Sequence, residues 1–383
     1  MGPGYRRAVK SKVAKGVTLG ILSGLAAAAV VEATRPLGGT AAVIDWDAVR
    51  RSARRRLKDD GPLPAERRSQ LSAHYAALAA DVRDPLFEVV GGPPIEISPF
   101  QPLGRIEWVD LNVEIIRRVL DPVIQEAGIP RSRLTDAGQA AIDRYVATVL
   151  TFLSSRVLGQ FDPQLMGREP VAATALYLVE PNVAQWEAEA EVPGDDLRRW
   201  LILHESTHAW QFQAHPWLVA HLNGALEELL ALAGHRRQGL ARFVGLTVGL
   251  PNQWAIVRRL QATMSLIEGY SNLVMGLAGR RVLPSYDALD AAYRKRTDQK
   301  SPLEVLFWKL TGLDMKLEQY RNGEAFSRAI YDAHGMQVLN LAWESQANLP
   351  RAEELARPER WVARVTGAGS KSLFPQRRVG AEL

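Results

Sequence analysis

The chain predicts a mainly helical fold of the α+β kind, with a small sheet. Three observations carry this. Apolar residues recur at three- and four-residue spacing over long segments, as in Pro64–Phe87, where Ala, Leu and Tyr line one face. Only one run, Ala175–Val179 (Ala-Leu-Tyr-Leu-Val), reads plainly as a strand. Between the periodic segments lie Gly- and Pro-rich stretches such as Gly91–Gly104, which read as loops.

The elements follow in order. Residues 1–44 form an extension with a break at Gly38-Gly39-Thr40. Within it, Val17–Val31 is apolar apart from Thr18 and Ser23 and follows a basic stretch, the pattern of a signal-anchor or signal-peptide core. At about 15 residues it is short of the roughly 20 that span a bilayer. No small-x-small cleavage site follows it, and basic residues flank it on both sides. A globular region spans 45–366. Trp46–Leu57, Pro64–Phe87, Glu107–Ala127 and Thr135–Val157 read as helices. The strand Ala175–Val179 ends at Glu180-Pro181-Asn182, a turn signal, and is a candidate edge for an extended peptide to join. Pro193-Gly-Asp-Asp196 opens a helix with an acidic first turn, which runs from Leu197 to Ala214, where Pro216 discourages continuation. A long helix follows over Pro251–Ala278, then shorter ones over Ser301–Lys309, Asp314–Arg321 and Gly323–Gly335. Residues 367–383 are a basic tail.

Composition narrows the chemistry. With 383 residues, 47% apolar and 23% charged, the chain can bury a full core. It has no cysteine, which removes disulfides, thiolate metal sites and a cysteine nucleophile. A metal would be held by His, Asp or Glu, a donor set suited to zinc. The net charge of +5 gathers at Arg6, Arg7, Lys10, Lys12 and Lys15, at Arg50–Lys58 and at Arg377-Arg378. Such runs read as solvated faces. They lack the interleaved aromatics of a nucleic-acid surface, so no nucleic-acid partner is expected. The expected location is cytoplasmic, with residues 17–31 as the candidate point of membrane association.

Residues 204–208 read His-Glu-Ser-Thr-His. On a helix, His204 and His208 project from one face about 6 Å apart along the axis, so both rings can reach one zinc ion. Glu205 follows the first ligand. Zinc lowers the pKa of water toward neutrality, and a carboxylate there takes the proton as the water attacks a carbonyl. This is the His-Glu-x-x-His logic of metallopeptidases. Leu201, Ile202, Leu203, Ser206, Thr207, Ala209 and Trp210 are all uncharged, as a buried helix requires.

A third ligand must come from elsewhere. The longer metzincin pattern wants Gly at 211 and His at 214, where this chain has Gln211 and Ala214. His215 lies about 10 Å along the same helix from His208, too far for one ion. His221 and His235 would need a folded-back chain. Glu228 and Glu268 lie 20 and 60 residues after His208. Glu228 sits beside Glu227 on what reads as a solvated face. Glu268 lies in the apolar run Met264–Asn272, where a buried carboxylate needs a reason, and it is the better candidate. Asn272, one turn on, is placed to hydrogen-bond a ligand imidazole.

The stretch His204–Leu218 resembles the zincin-like metallopeptidase family of actinobacteria and related bacteria, whose members carry labels such as hydrolase or coenzyme F420 biosynthesis-associated protein. The resemblance extends over Ile44–Val365 and includes Val157–Pro163, Met264–Met275, Lys316–Gly323 and Trp361–Val365. In the family the glutamate segment reads Glu-Gly-His-Ala, where this chain has Glu268-Gly269-Tyr270-Ser271. The resemblance implies a mostly helical zincin with zinc held by His204, His208 and Glu268, and it supplies no substrate. Tyr270, Tyr320, Arg321 and His334 can each stabilise an oxyanion chemically. Tyr320, in a resembling segment, is the favoured one. The function expected is a zinc-dependent metallopeptidase or amide hydrolase with Glu205 as general base. The alternatives are a non-catalytic zinc scaffold and a membrane-associated interaction protein.

Overall fold

A computed structural model describes residues 44–58, 60–92, 94–126, 136–165, 176–234, 241–298 and 317–367. The apolar run 17–31, the expected helix Ser301–Lys309, His235 and the tail after Gly367 lie outside the described residues. Among the described residues no helix is long and apolar enough to cross a membrane.

The fold is mainly helical, as expected. In chain order the elements are α1 (Trp46–Arg56), α2 (Ala65–Val90), β1 (Phe100–Leu103), α3 (Arg105–Glu126), α4 (Asp136–Ser154), β2 (Gly159–Phe161), β3 (Leu176–Val179), α5 (Glu180–Ala190), α6 (Gly194–Gln213), α7 (Trp217–Gly234), α8 (Ala241–Val282), α9 (Tyr286–Asp298), α10 (Leu317–Asn340) and α11 (Pro358–Val365). Two short 3₁₀ turns, Leu341–Trp343 and Gln346–Asn348, join the last two helices.

Several boundaries have local causes. Asp45 caps α1, its carboxylate accepting from the Ala48 amide at 2.9 Å. Gly91, at φ 65°, closes α2 in the left-handed conformation. The run Glu180-Pro181-Asn182 starts a helix instead of a turn: the N–H that Pro181 lacks is one that the first turn of a helix leaves without an intrahelical partner. Asp314–Arg321 and Gly323–Gly335, expected as separate helices, fall largely within the single element α10, which breaks at Gly335 (φ 79°).

The three strands form one sheet in the order β1-β3-β2. β1 runs parallel to β3 with Phe100 opposite Leu176, and β2 runs antiparallel to it with Gly159 opposite Leu178. β3 is therefore the central strand. All four of its residues are buried, which is why it reads as an unbroken apolar run. This corrects the expectation that Ala175–Val179 offers an edge, since both its sides are paired. β1 and β2 escaped the sequence reading because they are short and carry Pro102 and Gly159, residues that argue against a strand.

The sheet is a wall between two cores. On one face Phe161, Leu176 and Leu178 join the larger core, built with α2, α6, α8 and α10. On the other, Tyr177 and Val179 join a smaller core from α1, α3 and α4. α6 runs through the larger core and is buried on nearly every side from Asp196 to Phe212. Its first turn is fixed by Arg198, whose guanidinium donates to Glu180 at 2.8 Å and Glu187 at 2.7 Å on α5. Tyr75 of α2 donates to the same Glu180.

Candidate active site

The buried helix α6 carries His204 and His208 one turn apart, and their Nε2 atoms face each other at 3.1 Å. α8 brings Glu268 to the same point. Its carboxylate oxygens lie 4.0 Å from Nε2 of His204 and 3.7 Å from Nε2 of His208. One ligand atom from each of the three residues lies within 4.8 Å of the others. All three are buried, with Glu268 only 3% exposed.

α8 is buried along this stretch, with Leu266, Ile267, Leu273 and Val274 all unexposed. A carboxylate on so buried a stretch is costly unless cationic or metal partners compensate it. Two nitrogens bound tetrahedrally to one zinc ion at about 2.0–2.1 Å lie about 3.4 Å apart. The observed nitrogen pair and the two oxygen approaches are within several tenths of an ångström of that arrangement. The group can therefore close around one metal ion.

Glu205 is also buried, and it lies beside strand β2. A Cβ built on Gly159 would stand 2.7 Å from Oε1 of Glu205 and 3.0 Å from its Cγ. The carboxylate thus occupies the space that a side chain at 159 would fill. β2 is the outer strand on this side, and among the described residues no other strand pairs with it. Its register opposite β3 turns alternate backbone groups outward next to Glu205.

The imidazole of His208 is held from behind. Its Nδ1 lies 2.9 Å from Oε1 of Gln211 and 3.2 Å from Oγ of Ser271. Gln211 in turn donates to the carbonyl of Ile267 at 2.9 Å, one residue before Glu268. Asn272, expected in this supporting role, is only half-buried, and Gln211 and Ser271 make the contacts. Gln211, Ser271 and Gly159 were not singled out from sequence. The first two had a signal, since Gln211 follows His208 by three residues and Ser271 follows Glu268 by three, the spacing that keeps side chains on one helical face.

The remaining candidates separate clearly. Glu228 is exposed and paired with Arg259, away from the histidines. His215 donates from Nδ1 to the Gln211 carbonyl and packs on Trp210 and Trp343. Burial lowers its pKa, against the smaller upward pull of that bond. His221 contacts Thr263. Tyr270 lies flat on Trp210 at 5.7 Å between ring centroids, and its hydroxyl donates to Oδ1 of Asn340 at 2.8 Å. Burial drives its pKa far above the ordinary phenol value, so it remains a neutral donor committed to Asn340. His334 is exposed. Tyr320 and Arg321 lie on α10, with side chains outside the described residues.

α10 meets α8 next to Glu268. A Cβ on Gly323 would fall 1.9 Å from the Ser265 carbonyl oxygen, and one on Gly269 would fall 2.1 Å from the Gly323 carbonyl carbon. Two glycines therefore let the backbones touch on either side of Glu268.

Residues 44–362 match the family model for zincin-like metallopeptidases. A solved structure from Chloroflexus aurantiacus, described as "a putative hydrolase with a novel fold", is 31% identical with a TM-score of 0.66, over 86% of this chain and 100% of that one. Among curated proteins the comparison finds no match. The family model spans the sheet, both histidines and the glutamate on α8, and the chain belongs to the zincin-like metallopeptidase family.

Proposed function

We propose that the protein is a zinc-dependent hydrolase of peptide or amide bonds. The observation that carries this is the convergence of His204, His208 and Glu268 at one buried point, with Glu205 one residue from the first ligand. Two imidazoles and a carboxylate with no thiolate make a donor set that suits zinc. When bound, zinc supplies Lewis acidity, polarising the scissile carbonyl and making water acidic enough to lose a proton near neutrality.

The chain's own residues do the rest. Glu205 takes the proton from the attacking water as general base and returns it to the leaving amine. Gly159 leaves the space in which that carboxylate sits. The outward edge of β2 is where an extended substrate lines up its backbone, as a strand added to the sheet. Tyr320 stabilises the oxyanion, a role supported by its place on α10 one turn before the Gly323 contact with α8.

Elemental analysis and a zinc-dependent cleavage screen of a peptide library test the reading together. Wild type and Glu228→Ala should hold one zinc per chain, and Glu268→Ala should lose it. Glu205→Gln should keep the metal while hydrolysis falls by about 10²–10⁴-fold, the range for losing a general base. Hydrolysis unchanged in Glu205→Gln, or a wild type that takes up no zinc, would end this assignment.

A further inference from the structure

The amide of Gln211 settles where the proton of a ligand histidine sits. One end of that amide lies 2.9 Å from the Ile267 carbonyl oxygen. A carbonyl oxygen only accepts, so this end is the NH₂ group. The other end is then the amide oxygen, which also only accepts, and it lies 2.9 Å from Nδ1 of His208. Nδ1 must therefore carry a proton. Ser271 agrees with this. Its single hydroxyl proton goes to the Ile267 carbonyl at 3.0 Å or the Gln211 oxygen at 3.2 Å, which leaves its lone pairs to accept from Nδ1–H at 3.2 Å. A neutral His208 so arranged presents a lone pair on Nε2, the atom that faces His204 and Glu268.

We propose that Gln211 is a positioning residue that locks His208 in its Nδ1–H tautomer and ties the two ligand-bearing helices together. The same side chain grips α6 at His208 and α8 at the carbonyl before Glu268, so one amide sets both the ligand's proton and its distance from the third donor. A neutral amide suits the place. Glu205 and Glu268 already bring two carboxylates into the buried site, and a third would add like-charge repulsion in a poorly solvated space. Free histidine in water favours the proton on Nε2, so the lock has to reverse that preference. The effect on metal binding rests on the zinc reading above; the tautomer does not.

The chain has seven histidines, few enough for selective ¹⁵N-histidine labelling of the metal-free full chain. Two-bond ¹H–¹⁵N spectra at pH 8, with His208 assigned by comparison with His208→Gln, should place its proton on Nδ1. In Gln211→Met the proton should move toward Nε2. Zinc affinity, from competition with a chelator, should fall about 10- to 100-fold in Gln211→Met, the usual cost of losing such a partner. Gln211→Glu, which can still accept from Nδ1–H but cannot donate to the Ile267 carbonyl, should keep the proton on Nδ1 while zinc affinity stays below wild type. A wild-type His208 protonated on Nε2 overturns the proposal. So does a Gln211→Met protein that melts lower yet binds zinc as wild type does, since that is a packing role alone. If wild type takes up no zinc at all, the hydrolase reading fails, and the tautomer measurement still decides the lock.

Discussion

At the scale of single residues, the site is built from one side chain that is missing and several that are present. Gly159 faces Glu205 so closely that an added methyl would overlap Oε1 at 2.7 Å. The overlapped atom is the far end of a flexible side chain, so Gly159→Ala should move the carboxylate at little cost to the fold. The expected outcome is a fall in kcat/KM of about 10²-fold, the penalty for displacing a catalytic group by about an ångström, with zinc content and Tm near wild type. Loss of zinc instead would mean that position 159 supports the ligands and not the base. His215 gives a second prediction. Burial lowers its pKa in the folded chain, and the unfolded chain therefore takes up its proton first as pH falls. Its contribution to stability is complete above the ordinary histidine pKa and is lost as pH drops through the lowered one. Tm should thus decline below about pH 6.5, and the decline should be shallower in His215→Gln, as read by thermal melts across that window. The His-Glu-x-x-His residues were legible because all their chemistry lies within one helical turn. Glu268 was legible as a carboxylate in an otherwise apolar run. Gly159 was not, because it acts by lacking a side chain against a residue 46 positions further on.

At the scale of elements, the distance between α8 and α10 is set by Gly269 and Gly323. A Cβ at 323 would strike the Ser265 backbone oxygen, which cannot swing aside as a side chain can. Gly323→Ala should therefore push the helices apart and destabilise the protein by about 1–3 kcal/mol, the usual range for overpacking. Because Glu268 lies between Ser265 and Gly269, zinc affinity should fall as well. Gly224→Ala on α7 is the control. Nothing lies within 4 Å of the added carbon there, and alanine in a helix interior should instead stabilise by about 0.5–1 kcal/mol. Urea denaturation of both variants checks the contrast, and equal stabilities would remove the crossing as a determinant of the site. Helices were the most legible elements: periodicity repeats over many turns in α2, and α6 is marked by its acidic first turn and by Pro216 beyond its end. β3 was legible because burial on both faces makes every residue apolar. β2 was not, because three residues containing a glycine carry no period. The role of β2 as the sheet's outer strand beside Glu205 could be seen only once the chain was folded.

At the scale of the whole molecule, His204, His208 and Glu268 come from two helices of the larger core, and Glu205 lies beside the sheet that divides it from the smaller one. An ion held by α6 and α8 together should therefore report on the stability of the whole unit and not on a loop. An ion that binds the folded chain alone adds about 4 kcal/mol when present at about a thousand times its dissociation constant. Chelation should accordingly lower Tm by several degrees, and restoring zinc should return it. His204→Ala, with one donor fewer, should melt near the chelated wild type and respond weakly to either treatment. Calorimetry should give one transition that shifts as a unit, because α6 and α8 pack within the same core. Two separated transitions, with only the upper or the lower one moving, would instead mean that the metal stabilises one core while the other unfolds independently. The sheet, whose central strand contributes side chains to both cores, is the reason to expect one: Leu176 and Leu178 cannot leave the larger core without drawing Tyr177 and Val179 from the smaller.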